Sequence, residues 1–174
     1  MYNLSLFQKM STLWEQHVFW TRLFLISVAE SLSDLEPTRN RLLRNPVDIA
    51  AVYRMYYGND VARVVQDLLT EHLTIGGDII VALKNGNTEL ATNLTKKWYE
   101  NADEMAKAFS SFNPYYDEEE LRRMFYNHLQ LTTVEVEARL RRDYNADIMA
   151  FDRVEKEALQ MANYFVMGIL KQFG

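Results

Sequence analysis

The stretch 59-NDVARVVQDLLTEHLTIGGDIIVALKNG-86 decides the fold class. Asn59 stands where a helix cap belongs. Val61, Val64, Val65, Leu68, Ile75, Ile79 and Leu83 then recur three and four residues apart, with His72 in the same line. Lys84-Asn85-Gly86 supplies a cation and a glycine where a helix should stop. Two-residue alternation never persists; Val134-Glu135-Val136 alternates only inside a helical pattern.

The same texture extends backwards. Asn45-Pro46 reads as a cap followed by proline at the first helical position, opening a short helix to about Tyr57 that Gly58 halts. Thr38 to Asn45 is polar and basic, with room for one or two helical turns. The first segment, about Leu4 to Leu35, places Leu13, Trp20, Phe24 and Val28 at helical spacing and ends at Asp34, Glu36 and Pro37. Its other faces are apolar too, through Val18, Phe19, Leu23, Leu25 and Ile26, so this helix is expected between neighbours or against a second copy.

Going forward, a segment from Asn87 or Thr88 carries Leu90, Leu94, Trp98, Asn101, Met105 and Phe109 and breaks in a loop from Ser110 to Tyr116. Asp117 with Glu118, Glu119 and Glu120 is an acidic helix start. That helix runs through Phe125, His128 and Leu131 to about Arg142. The last runs from Asn145 or Asp147 to Phe173. Short connections make neighbours antiparallel. The expectation is an all-α fold, an antiparallel four-long-helix bundle with a short accessory helix, in one domain spanning residues 1–174.

Composition narrows the function classes. The 174 residues include no cysteine, which excludes disulfides, thiolate metal sites and a cysteine nucleophile. The net charge is -5 with signs interspersed, and the densest basic group, Arg139, Arg141 and Arg142, lies among acids, so no nucleic-acid partner is expected. No apolar run approaches the roughly 20 residues of a membrane span, and the first residues do not read as a signal peptide. A cytoplasmic protein without a membrane partner is the expectation. The apolar stripes of the first and last helices suggest a homodimer.

One pattern carries chemistry. The only three histidines stand in EQHVFWTR (His17), TEHLTIGG (His72) and YNHLQLTT (His128), and each has a small residue four places on: Thr21, Gly76 and Thr132. Asn101, in YENADEM, has a similar setting. At 1.5 Å per residue all four lie about 17–21 Å into their helices, near mid-height whichever way each helix runs. Three imidazoles on three helices can hold a divalent metal, with water, Asn101 or Glu135 completing the shell. The same layer, with Thr21, Arg22 and Thr132, can instead bind a small polar molecule or anion in an otherwise apolar pocket. Or each histidine can hydrogen-bond a buried neighbour and fix helix register. Enzyme and binder both stay open. Arg22, on a very apolar helix, calls for an acid, with Asp78, Asp103 and Glu135 as candidates. Gly76-Gly77 inside a helix calls for close approach of a neighbour such as the helix carrying Trp20.

Taken together, NRLLRNPVDI, LLTEHL, WYENADEMA, SFNPYY, NHLQLTT and DIMAFDRVEKEALQMA resemble a family of uncharacterised helical-bundle proteins from low-GC Gram-positive bacteria. The similarity spans nearly the whole chain and implies a helical bundle with no established activity. Some members carry the label acetylglutamate kinase. That activity implies an α/β sandwich with glycine-rich phosphate loops, and neither strands nor such loops are legible here. The chain also resembles DinB-like four-helix bundles, whose three metal-binding histidines include a pair four apart on one helix. Here Thr132 takes the place of the second member of such a pair.

Overall fold

The computed structural model describes residues 2–174, with side chains from Leu4 onward. Six helices follow one another: α1 (Tyr2–Glu30), α2 (Leu35–Leu43), α3 (Asn45–Lys84), α4 (Thr88–Phe112), α5 (Glu118–Leu140) and α6 (Tyr144–Phe173). The described residues form an all-α bundle, and α2 is its short accessory helix. The long helices close a ring in which α1 packs on α3 and α6, α3 on α4, α4 on α5, and α5 on α6. Five long helices therefore share the bundle.

Local chemistry sets the breaks. The side chains of Asn87, Asp117 and Asp143 cap α4, α5 and α6 by accepting from the amides of Leu90, Glu120 and Ala146. Gly58, at φ +81°, interrupts α3 with a kink where the sequence called for a stop, and the helix resumes without leaving the bundle. The first helix ends earlier than Pro37 would dictate, at Glu30, because Ser31 turns to φ 54°. Pro37 then falls in the first turn of α2, where a missing N–H costs nothing. Asn45 does not cap α3. No side-chain bond caps that helix, and the Asn45 amide is engaged elsewhere.

The interior divides into two apolar clusters. The larger is dense with aromatic rings: Tyr53, Phe109, Phe125 and Phe165 are all buried within it, and Phe165 lies 5.1 Å from Phe109 between ring centres. The smaller gathers Phe24, Leu25, Val28, Leu42, Leu73, Ile80 and Val136. Along α1, α3 and α5 the histidines fall where one cluster gives way to the other. No described helix is long and apolar enough to cross a membrane.

Candidate metal centre

His17, His72 and His128 are 1, 3 and 5% exposed and meet at that seam. Their ring centres lie 6.0 Å (His17–His72), 5.8 Å (His17–His128) and 6.1 Å (His72–His128) apart. One ring nitrogen from each lies within 4.8 Å of the other two.

The ring orientations are fixed from outside. His17 Nδ1 donates to Asn45 Oδ1 at 2.9 Å, and Asn45 Nδ2 donates to the Leu13 carbonyl at 2.8 Å, which settles which way the amide faces. His72 Nδ1 donates to Asn101 Oδ1 at 3.3 Å, while Asn101 Nδ2 donates to the Leu68 carbonyl and to Glu71, both at 3.2 Å. His128 Nδ1 donates to Glu157 Oε2 at 3.0 Å. An amide oxygen and a carboxylate only accept, so each Nδ1 carries the proton. In the neutral imidazole each Nε2 is then left with a bare lone pair. This arrangement, an outer oxygen fixing tautomer and angle, is the one that metal-binding histidines use.

The same three bonds show a cadence. Each histidine meets a partner 28 or 29 residues further along. His17 (α1) meets the start of α3, His72 (α3) meets α4, and His128 (α5) meets α6. The ligands stand on α1, α3 and α5, and each residue that aims one comes from the next long helix along the chain.

Electrostatics keep two of the rings neutral. Burial, then the neighbouring His128, lowers His17 to about 3, although its bond to Asn45 pulls the other way. Burial, then His17 and His128, holds His72 well below the ordinary imidazole range. Neutral imidazoles are the metal-ligating form. With three lone pairs inward, the cluster welcomes a cation or a hydrogen-bond donor, and an anion joins it through that cation.

A tetrahedral zinc with bonds of about 2.0–2.1 Å holds its nitrogens roughly 3.4 Å apart. Three nitrogens no more than 4.8 Å apart meet that demand if each ring draws in by under about 1 Å. The residues present can hold a divalent metal.

A cavity of about 440 Å³ adjoins the cluster and is lined by all three histidines, Thr21, Thr132, Gly76, Gly77, Trp98 and apolar residues of the smaller cluster. Its rim is formed by the exposed Thr88, Thr92 and Lys96 of α4 and Thr133 and Glu137 of α5. On the far side of the histidines α4 and α5 are zipped together. There Tyr99 meets Tyr126 edge-on at 4.8 Å, and Asp103 accepts from both Arg122 (2.8 Å) and Tyr126 (2.9 Å). The two glycines admit aromatic walls: a Cβ on Gly76 would lie 3.1 Å from Trp98, and one on Gly77 3.3 Å from Phe24. Phe24 lies on α1, the helix carrying Trp20 that the sequence suggested as the close neighbour, and α4 adds Trp98 as a second wall. Trp98 also donates its indole N–H to the His72 carbonyl at 3.0 Å.

The remaining candidate residues fall into separate places. Asn101 aims His72 rather than standing as a fourth inward group. Thr21 lines the cavity with its hydroxyl bonded back to the His17 carbonyl at 2.8 Å. Thr132 lines it with a buried hydroxyl that has no partner among the described residues. Arg22 and Glu135 belong to an ion cluster outside the group of three nitrogens. Arg22 Nη1 lies 2.6 Å from Glu135 and 2.6 Å from Asp147, and Arg139 bridges Asp147 (3.4 Å) to Glu30 (3.1 Å). Burial, against the pull of Arg22, lifts Glu135 to about 7. Of the other acids considered for Arg22, Asp78 faces Arg39 and Asp103 pairs with Arg122.

Sequence reasoning missed Asn45, Glu157 and Asp147. A signal for Glu157 was present: Val154, Ala158 and Met161 bracket it at helical spacing, which places a carboxylate on the core stripe of α6. The chain matches no known protein family, no curated protein and no solved structure.

Proposed function

We propose that this protein holds a divalent metal ion on Nε2 of His17, His72 and His128, with its open position toward the cavity, and that it works as a metal-dependent hydrolase. The observation that carries this reading is the set of three outward Nδ1 bonds, to Asn45, Asn101 and Glu157. A layer serving helix register alone would satisfy both nitrogens of each ring. Here one nitrogen of each is satisfied with care, and the remaining lone pairs converge on a space that opens to a cavity. When bound with an open position, such an ion acts as a Lewis acid and brings the pKa of water from 15.7 down to about 7. The protein's own residues aim the lone pairs, hold His17 and His72 unprotonated by burial and shield the site with apolar walls. Buried Thr132, one turn beyond His128, brings a free hydroxyl to the same cavity, suited to orient a water or a substrate oxygen.

The test is metal analysis of untagged protein purified without chelator, followed by zinc titration of metal-stripped protein, beside His72→Ala. The expected result is one ion per chain in the wild type and loss of tight binding in the variant. Helical circular dichroism should be retained in both. A folded wild type that takes up no stoichiometric zinc, cobalt, manganese or iron would sink the proposal.

A further inference from the structure

Resting on that metal reading, we infer that the cavity selects acyl compounds: an uncharged apolar stem with a carbonyl-type head that reaches the three histidines. Six threonines line the cavity, which on composition alone suggests a polar pocket. Four of them spend their hydroxyl protons on the carbonyl four residues back: Thr21 on His17, Thr92 on Thr88, Thr95 on Ala91 and Thr133 on Leu129, at 2.8–2.9 Å. A threonine engaged in this way has no proton left to donate to a ligand, and its methyl group adds apolar surface.

The remaining depth is hydrocarbon. Phe24, Leu73, Ile80 and Val136 come from three helices, and Leu42 reaches in from α2. Inside, strong polar demand is confined to the histidine pole, where the partnerless Thr132 hydroxyl also sits. At the rim stand one cation and one anion, Lys96 and Glu137, and Glu137 already pairs with Arg141 at 3.3 Å. Both side chains are exposed, where water and salt screen their charges, so a charged tail gains little there. A ligand that fits has one polar end inward and a neutral stem running outward between α4 and α5.

The experiment uses the full chain loaded with cobalt(II), whose visible spectrum reports ligands joining the ion. Straight-chain hydroxamates from acetohydroxamate to decanohydroxamate serve as probes. Affinity should rise roughly three- to fourfold per methylene, the factor for burying a CH₂ group, and flatten once the chain clears the rim. Thr92→Trp, at an exposed rim position that leaves the core untouched, should weaken the longest probe at least tenfold and leave acetohydroxamate unchanged. Affinity independent of chain length, with cobalt bound through the histidines, overturns the acyl inference and leaves the metal centre standing. Failure of cobalt to bind, or binding unaffected by His72→Ala, overturns both.

Discussion

The two ends of this bundle solve opposite packing problems, and their glycines show it. At the aromatic end Gly168 faces Tyr116 so closely that a Cβ would lie 1.9 Å from the ring. The tyrosine is pinned there by its hydroxyl, which donates to the Phe165 carbonyl at 2.6 Å. At the cavity end Gly76 and Gly77 face Trp98 and Phe24 at 3.1 and 3.3 Å, tight but not forbidden. One glycine removes a clash from a filled core. The other two let large rings stand as walls around space that the core does not fill. Filled and hollow regions adjoin at the histidine layer, and the lesson is that the hollow is built rather than left over.

The largest effect that would sharpen this contrast is expected from Gly168→Ala. Overfilling a close-packed core costs typically 1–3 kcal/mol, and a ring held at both ends cannot retreat, so a loss of about 3 kcal/mol is expected in urea unfolding. A loss below about 1 kcal/mol would mean that the aromatic end is no more rigid than the cavity end.

The pH dependence of the metal-stripped protein comes next. His17 and His72 titrate below their ordinary 6.5 in the folded state, so the unfolded chain binds more protons there and stability falls as pH drops below 6.5. Glu135 has the opposite sign. Its carboxyl is raised from 4.5 to about 7, so it contributes stability at low pH that is lost as pH rises through 7. Just below 6.5 the two histidines outweigh the one carboxyl, so stability slopes downward as the pH drops there. His72→Gln should flatten that slope, measured by denaturant titration at successive pH values. An unchanged slope would place the titrating groups elsewhere.

A smaller effect should separate the aiming residues from the packing around them. Glu157→Ala leaves the three ligands in place but frees the His128 ring, and zinc affinity should fall ten- to hundredfold in chelator competition, the usual range for losing such a support. The smallest change is expected from Gly77→Ala. The helix gains up to about 1 kcal/mol from alanine and loses a comparable amount by pressing on Phe24, so melting should move little. Strong destabilisation there would erase the difference between the two ends.

Much of this was legible in the chain. Helix periodicity and the starts near Asn87 and Asp117 marked the elements, and equal depth placed the three histidines at one level of the bundle. The supports were harder to see for physical reasons. Asn45 precedes Pro46 and looks like a cap, yet no backbone amide claims its side chain, because the Leu13 carbonyl and His17 do. Asp147 lies in the first turn of α6, where an acid has a sufficient local reason to be, and only the tertiary structure brings Arg22 and Arg139 to it. Periodicity shows which residues share a line on one helix. It does not show which line on the next helix answers, nor that threonines on a cavity wall have already used their protons.

The 28- or 29-residue interval between each imidazole and the group that aims it has a kinetic meaning. Two of the pairings close within a single helical hairpin and the third spans α1 to the start of α3, and contacts of such short sequence separation form early and fast. Each pairing can therefore orient its own ring before the chain has assembled. Bringing the three lone pairs together then needs only the docking of preformed pieces, and a metal ion arriving afterwards meets a site whose angular order was established during folding.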